Sequence, residues 1–113
     1  MVPQLIGNRK SRAFRGCERF FRERGIDYQV RDPMERPLGR REIEAIAAGV
    51  GGTEELLDTE GVAYRDRGMA WMDYDLMDEL LEHPELLRMP IVRGDKGVAI
   101  RPDIAALSSL CHS

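Results

Sequence analysis

The chain has 113 residues, 42% of them hydrophobic and 33% charged, with a formal net charge of -3. That length suits a single domain, 1–113, able to bury roughly two thirds of its unfolded surface without staples, and no apolar run approaches the ~20 residues of a membrane-spanning helix. Two cysteines, Cys17 and Cys111, far apart in sequence and outside any Cys/His cluster, argue against a disulfide framework or a zinc site.

In chain order, the apolar run 2–6 predicts a strand, and "GNRKSRAF", 7–14, is the turn that leads into a helix. In that helix, 12–24, Phe14, Cys17 and Phe21 recur at helical spacing and form the inward stripe. The opening segment lacks the basic and apolar regions of a secretory signal, so the expected location is the cytoplasm. Residues 1–25 hold seven basic residues (Arg9, Lys10, Arg12, Arg15, Arg19, Arg22 and Arg24) against two acids, a local charge of +5 that leaves -8 for the rest. This is either an anion-binding end or a solvated helix face. The acidic whole does not imply direct nucleic-acid binding.

Gly25 closes the helix and 26–30 reads as a second strand, so the first three elements make a βαβ unit with a parallel pair. After a loop at 32–37, a second helix spans 39–49, with Ile43, Ile46 and Ala47 inward. Thr53 is a candidate helix cap, followed by Glu54 and Glu55. Short helices fill 53–82, interrupted at Gly61 and Gly68, and the last stops before Pro84. Met69, Met72 and Met77 with Trp71 and Tyr74 read as the core of these helices; the alternative is that some rim an exposed apolar patch. His83 is expected to cap or pack locally. A third strand spans 88–93, a hairpin turn 95–97, a fourth strand 98–100 and a closing helix 103–110. Cys111 falls in the short polar tail 108–113, where it is expected to be solvent-accessible and unordered. The order β-α-β, helices, β-β-α predicts an α/β thioredoxin-like (glutaredoxin-like) fold, a four-stranded mixed sheet with an all-helical insertion, about 39–84, between the second and third strands.

The run from Leu81 to Val92, "LEHPELLRMPIV", resembles the hPxLhxxPIV signature of the ArsC/Spx family of glutaredoxin-linked arsenate reductases and Spx-type transcriptional regulators. The similarity extends through "ERFFRERGI", 18–26, and Leu56-Leu57, and covers nearly the whole chain. It points toward the ArsC-family or nitrogenase-associated branch. The resemblance implies that Ser11 stands where the reductases carry a nucleophilic cysteine, and Phe14 where the regulators carry the second cysteine of a CxxC switch. It also implies that two of the three arginines holding the oxyanion are replaced, by Asp58 and Met89. Arg101 keeps the third, Arg15 matches the basic residue of the first helix turn, and Pro90 is expected to be cis. With a hydroxyl for a thiol and no base in sight, arsenate reduction is not expected.

Two readings follow. In the first, the protein is a non-catalytic binding or regulatory module whose surface comprises Arg9, Lys10, Ser11, Arg12, Arg15, Pro90 and Arg101. Its expected partner is a protein, RNA polymerase or a redox protein by family analogy, or else a small oxyanion, with no cofactor and no metal. In the second it is a glutathione- or thioredoxin-linked oxidoreductase using a relocated thiol, Cys17 or Cys111. Cys17 lies on the apolar stripe and reads first as a small core residue.

Overall fold

A computed structural model describes residues 2–111. The sheet has the order β2-β1-β3-β4, built from β1 (Gln4–Ile6), β2 (Gln29–Arg31), β3 (Ile91–Gly94) and β4 (Gly97–Ile100). β1 runs parallel to β2, with Leu5 opposite Val30, and antiparallel to β3, with Leu5 opposite Val92. β3 and β4 form the hairpin. The parallel pair is connected by α1 (Arg12–Glu23), as the βαβ spacing requires.

Side chains alternate across a strand, so each pair of adjacent apolar residues supplies both faces of the sheet. Leu5 and Val92 enter one core with Phe14, Cys17, Phe20 and Phe21 of α1, and with Leu107 and Leu110 of α5 (Ile104–Leu110). Ile6 and Ile91 enter the other, beneath the insertion, with Leu38, Ile43, Ile46, Leu56, Leu80 and Leu86. Phe14 and Phe21 are wholly buried, each contributing about 2–3 kcal/mol through area removed from water. Tyr28 stacks on Phe21 with ring centroids 5.0 Å apart, and its hydroxyl donates to the buried Glu18 carboxylate at 2.8 Å.

The insertion comprises α2 (Arg40–Val50), α3 (Val62–Asp66), α4 (Leu76–Glu82) and three 3₁₀ turns. It is closed at its base by a bridge between Leu57 and Leu87. There Asp58 N–H donates to the Leu86 carbonyl at 2.9 Å and Arg88 N–H to the Leu56 carbonyl at 2.8 Å. That closure explains why β3 begins at Ile91 and not at the expected 88: the Arg88 N–H is committed to the insertion. β2 likewise starts later than expected, because Ile26 N–H caps α1 through the Phe21 carbonyl at 2.9 Å. Thr53 is not a helix cap; it lies inside the 3₁₀ turn Thr53–Leu56, and Gly52 precedes that turn as its cap.

Two further expectations are corrected. Cys111 is not in an open tail: α5 runs to Leu110 and delivers Cys111, 5% exposed, into the α1 core beside Gly94. His112 and Ser113, expected in that tail, lie outside the described residues. The apolar group of the insertion is also divided. Met69 is buried, whereas Trp71 is 93% exposed and Met72 and Tyr74 are exposed with it. Met69 opens the 3₁₀ turn Met69–Trp71 facing inward, and two residues on, Trp71 faces solvent.

Candidate functional site

β1 ends against Gly7, where a side chain would be tightly crowded: a Cβ there would lie 3.0 Å from the Phe14 ring and 3.4 Å from the Pro90 Cα. The turn is held by local bonds. Gly7 N–H donates to the Arg31 carbonyl at 2.9 Å, Lys10 N–H to Asn8 Oδ1 at 2.7 Å and Ser11 N–H to the Asn8 carbonyl at 3.0 Å. Ser11 then caps α1, its hydroxyl oxygen accepting from Phe14 N–H at 3.3 Å, which satisfies one otherwise orphaned donor of the first turn. Arg9, Lys10, Arg12 and Arg15 around it are all exposed. Arg9 and Lys10 also border a polar hollow of about 340 Å³ shared with Arg31, Asp32, Glu35 and Arg36.

Pro90 is the centre of this end of the sheet. The Met89–Pro90 peptide is cis, as expected. Pro90 is buried, meeting the Gly7 turn on one side and accepting at its carbonyl from Arg101 N–H, at 2.7 Å, on the other. Of the seven expected binding residues, it therefore adjoins the surface without being part of it.

Arg101 follows β4 with φ of 48°, and its guanidinium is already occupied. Nε donates to the Met89 carbonyl at 3.0 Å and Nη2 to Asp58 Oδ2 at 2.9 Å. The closure at Leu57–Leu87 is what carries Asp58 to that position. The pair lines a small polar hollow of about 250 Å³ with Thr59, Glu60 and Arg88. Arg88 in turn is drawn to Glu55, through the backbone carbonyl at 3.2 Å and the carboxylate at 3.8 Å. Reading Asp58 only as a replaced arginine missed its role as counter-ion to Arg101. An acid and a base 43 positions apart announce no pairing in a sequence; only the fold makes them neighbours.

Both thiols are shielded. Cys17 is buried on α1, and burial, followed by the proximity of Cys111, pushes its pKa above the usual thiol value. Burial, then Asp95, does the same to Cys111. A neutral, buried thiol is a poor nucleophile. His83 caps the end of α4 through its N–H to the Glu79 carbonyl at 2.8 Å, a local role, and its ring lies 3.7 Å from Glu85. Among the described residues, Glu79, Glu82 and His83 form the one group of three His, Cys, Asp or Glu side chains whose ligand atoms lie within 4.8 Å of one another. Glu79 is already held by Arg67 at 2.6 Å, so the group is a charge network tying α3 to α4.

No family model matches the chain. It is 31% identical over 94 residues to the arsenate reductase of Rhizobium meliloti, covering 79% of this chain and 67% of that protein. It is 28% identical over 86 residues to the global transcriptional regulator Spx 2 of Oceanobacillus iheyensis, a match that takes in 73% of this chain and 64% of the regulator's length. In structure it superposes on an arsenate reductase from Vibrio cholerae with a TM-score of 0.82 at 20% identity, over 96% of this chain and 97% of that one, a likeness of fold.

Proposed function

The chain belongs to the ArsC/Spx family, and from that premise we propose that it works as a binding or regulatory module without thiol catalysis. The observation that carries this reading is the Asp58–Arg101 pair, 2.9 Å apart. By the resemblance, Arg101 is the one retained oxyanion-holding arginine and Asp58 stands where another would be. A carboxylate of the protein itself thus offsets the charge of the cation that, by the resemblance, would hold substrate, and weakens its pull on a second anion. Ser11 supports the same reading. At a helix N-terminus a thiol ionises near neutral pH, whereas a hydroxyl stays protonated unless a base takes its proton.

What remains at this end is a backbone-lined helix N-terminus with Arg9, Lys10, Arg12 and Arg15 in solvent, suited to an acidic segment of a protein partner or to a small oxyanion. By family analogy, RNA polymerase and redox proteins are the candidate partners. No described helix is long and apolar enough to cross a membrane. The competing oxidoreductase reading, with glutathione as co-substrate and Cys17 or Cys111 as nucleophile, is disfavoured by the burial of both sulfurs.

The test is arsenate reduction with glutathione and glutaredoxin supplied. Turnover is expected to stay at background for the wild type and for Cys17→Ala and Cys111→Ala. Turnover in the wild type that disappears in either variant overturns the proposal. Calorimetry with phosphate, sulfate and glutathione, repeated on Arg15→Ala, separates an oxyanion from a protein partner.

A further inference from the structure

A different group of residues carries a second surface. Trp71 is the chain's only tryptophan, and it stands 93% exposed at the end of a 3₁₀ turn whose first residue, Met69, is buried. The turn is therefore pegged to the core while its largest apolar side chain faces water. Residues 70–75 are all exposed, so Met72 and Tyr74 extend the patch, and Val62 at 60% exposure adds to the insertion's uncovered apolar surface. Beside Trp71 is a hollow of about 280 Å³, bounded by Thr59, Glu60, Tyr64 and Arg65, of a size to admit one side chain. Isolated exposed apolar residues need no explanation; a nearly fully exposed Trp71 that itself lines a hollow, with Met72 and Tyr74 exposed next in the chain, does.

The charge around the patch selects its occupant. Residues 53–85 carry eleven acids and two arginines, Arg65 and Arg67; Glu55, Asp58 and Asp78 pair with Arg88, Arg101 and Arg40 from outside that stretch, while Glu60 lines the hollow itself. Arg67 is committed to Glu79, and Arg65 lies beside Asp66 at 3.7 Å. Asp73 and Asp75 alternate with Met72 and Tyr74 in the exposed run itself. An indole face among carboxylates attracts guanidinium and ammonium groups by cation–π and Coulomb terms, and repels nucleic acid and anionic membranes.

We propose that the Trp71 surface docks a basic segment of a partner protein, one that presents arginine or lysine together with an aliphatic side chain for the hollow. Trp71 is the central anchor, and Asp73 and Asp75 supply the complementary rim. The proposal goes beyond the reading of the Ser11 turn and stands whatever the arsenate assay returns, because none of its residues belongs to that turn.

The test uses the full chain with three synthetic amphipathic peptides: one of arginine and leucine, one with glutamine for every arginine, and one with serine for every leucine. Trp71 fluorescence follows binding in the wild type, and calorimetry follows it in the variants. The Arg/Leu peptide is expected to shift and saturate Trp71 emission and to outbind both controls. Its affinity should fall about tenfold in Trp71→Ala, and several-fold in the Asp73→Asn/Asp75→Asn double variant. It should be unchanged in Arg15→Ala. Equal affinity for wild type and a folded Trp71→Ala, or equal binding of the glutamine control, overturns the proposal. So does concentration-dependent self-association of the wild type that Trp71→Ala abolishes, since the occupant is then a second copy.

Discussion

At the N-cap of α1, a single atom separates two kinds of chemistry. An oxygen at Ser11 accepts the Phe14 N–H bond and stays protonated; a sulfur in its place would feel the same helix N-terminus and the same four basic residues, and would ionise. Ser11→Cys is therefore expected to yield one thiol that reacts rapidly with a disulfide reagent at pH 7. Cys17 and Cys111, both buried, are expected to react slowly in the folded wild type and fully only on unfolding, so time-resolved thiol titration distinguishes the two chemistries. The same two thiols set an alkaline limit on stability. Both pKa values are raised in the folded state, so their neutral forms favour folding below the ordinary thiol value of 9.0. As pH rises past that value the unfolded chain ionises first and the contribution is progressively lost. Urea midpoints should fall between pH 8 and about 10, with a shallower slope in the Cys17→Ala/Cys111→Ala variant. Asp58→Asn tests the third residue of this group: removing the carboxylate frees the Arg101 guanidinium, and sulfate affinity measured by calorimetry should rise several-fold.

Among the elements, the segment between β2 and α2 depends on one side chain. Arg31 is 14% exposed and makes four bonds: Nε to the Arg36 carbonyl at 2.8 Å, Nη2 to the Pro37 carbonyl at 2.8 Å, and both Nη atoms to Glu42 at 3.0 Å. A planar five-donor group satisfies that arrangement and an ammonium does not, so Arg31→Lys is expected to cost about 1–3 kcal/mol, read from urea unfolding. Glu42, lowered first by the Gly39 N–H and then by Arg31, contributes stability above its ordinary value of 4.5 that is lost as pH falls below it. Gly94, in β3, lies so close to α5 that a Cβ would come within 2.6 Å of the Leu110 carbonyl oxygen and 3.1 Å of Cys111 Sγ. Since the nearest obstacle is backbone, Gly94→Ala should destabilise by about 1–3 kcal/mol and lower the melting temperature. Elements of this kind were legible in the sequence where the signal is local: the α1 stripe, the glycine breaks at Gly61 and Gly68, the stop at Pro84, and the closing helix of 103–110. What the sequence could not disclose depends on distant placement. Trp71 and Met69 have the same apolar character two positions apart, and only the seating of their turn on the insertion core decides which one meets water. Arg31 was overlooked, and Cys111 was placed in an open tail, for the same reason, since their partners come from other elements.

Across the whole molecule, the sheet divides the charge as it divides the core. α1, with its arginines, covers one face, and the acidic insertion covers the other. The net value of -3 hides this separation, in which the first 25 residues are +5. Even the shortest principal extent is 24 Å, about three times the Debye length of ~8 Å at physiological salt, so exposed charges on the two faces are screened from each other. Two surfaces separated in this way should act independently. Arg15→Ala and Trp71→Ala are thus expected to affect binding of an acidic and a basic peptide respectively, with the double variant showing the sum of the single effects within about 0.5 kcal/mol. Salt should separate the contributions further. Raising ionic strength from about 0.05 to 0.5 M should remove most binding of the acidic peptide, which rests on charge alone, while the basic peptide retains the part that buries Trp71. Calorimetric affinities for both peptides at both salt concentrations check this. Coupling between the two variants well above the additive range would mean that the faces communicate through the sheet, and that the protein is a two-state relay with a single conformational equilibrium behind both surfaces.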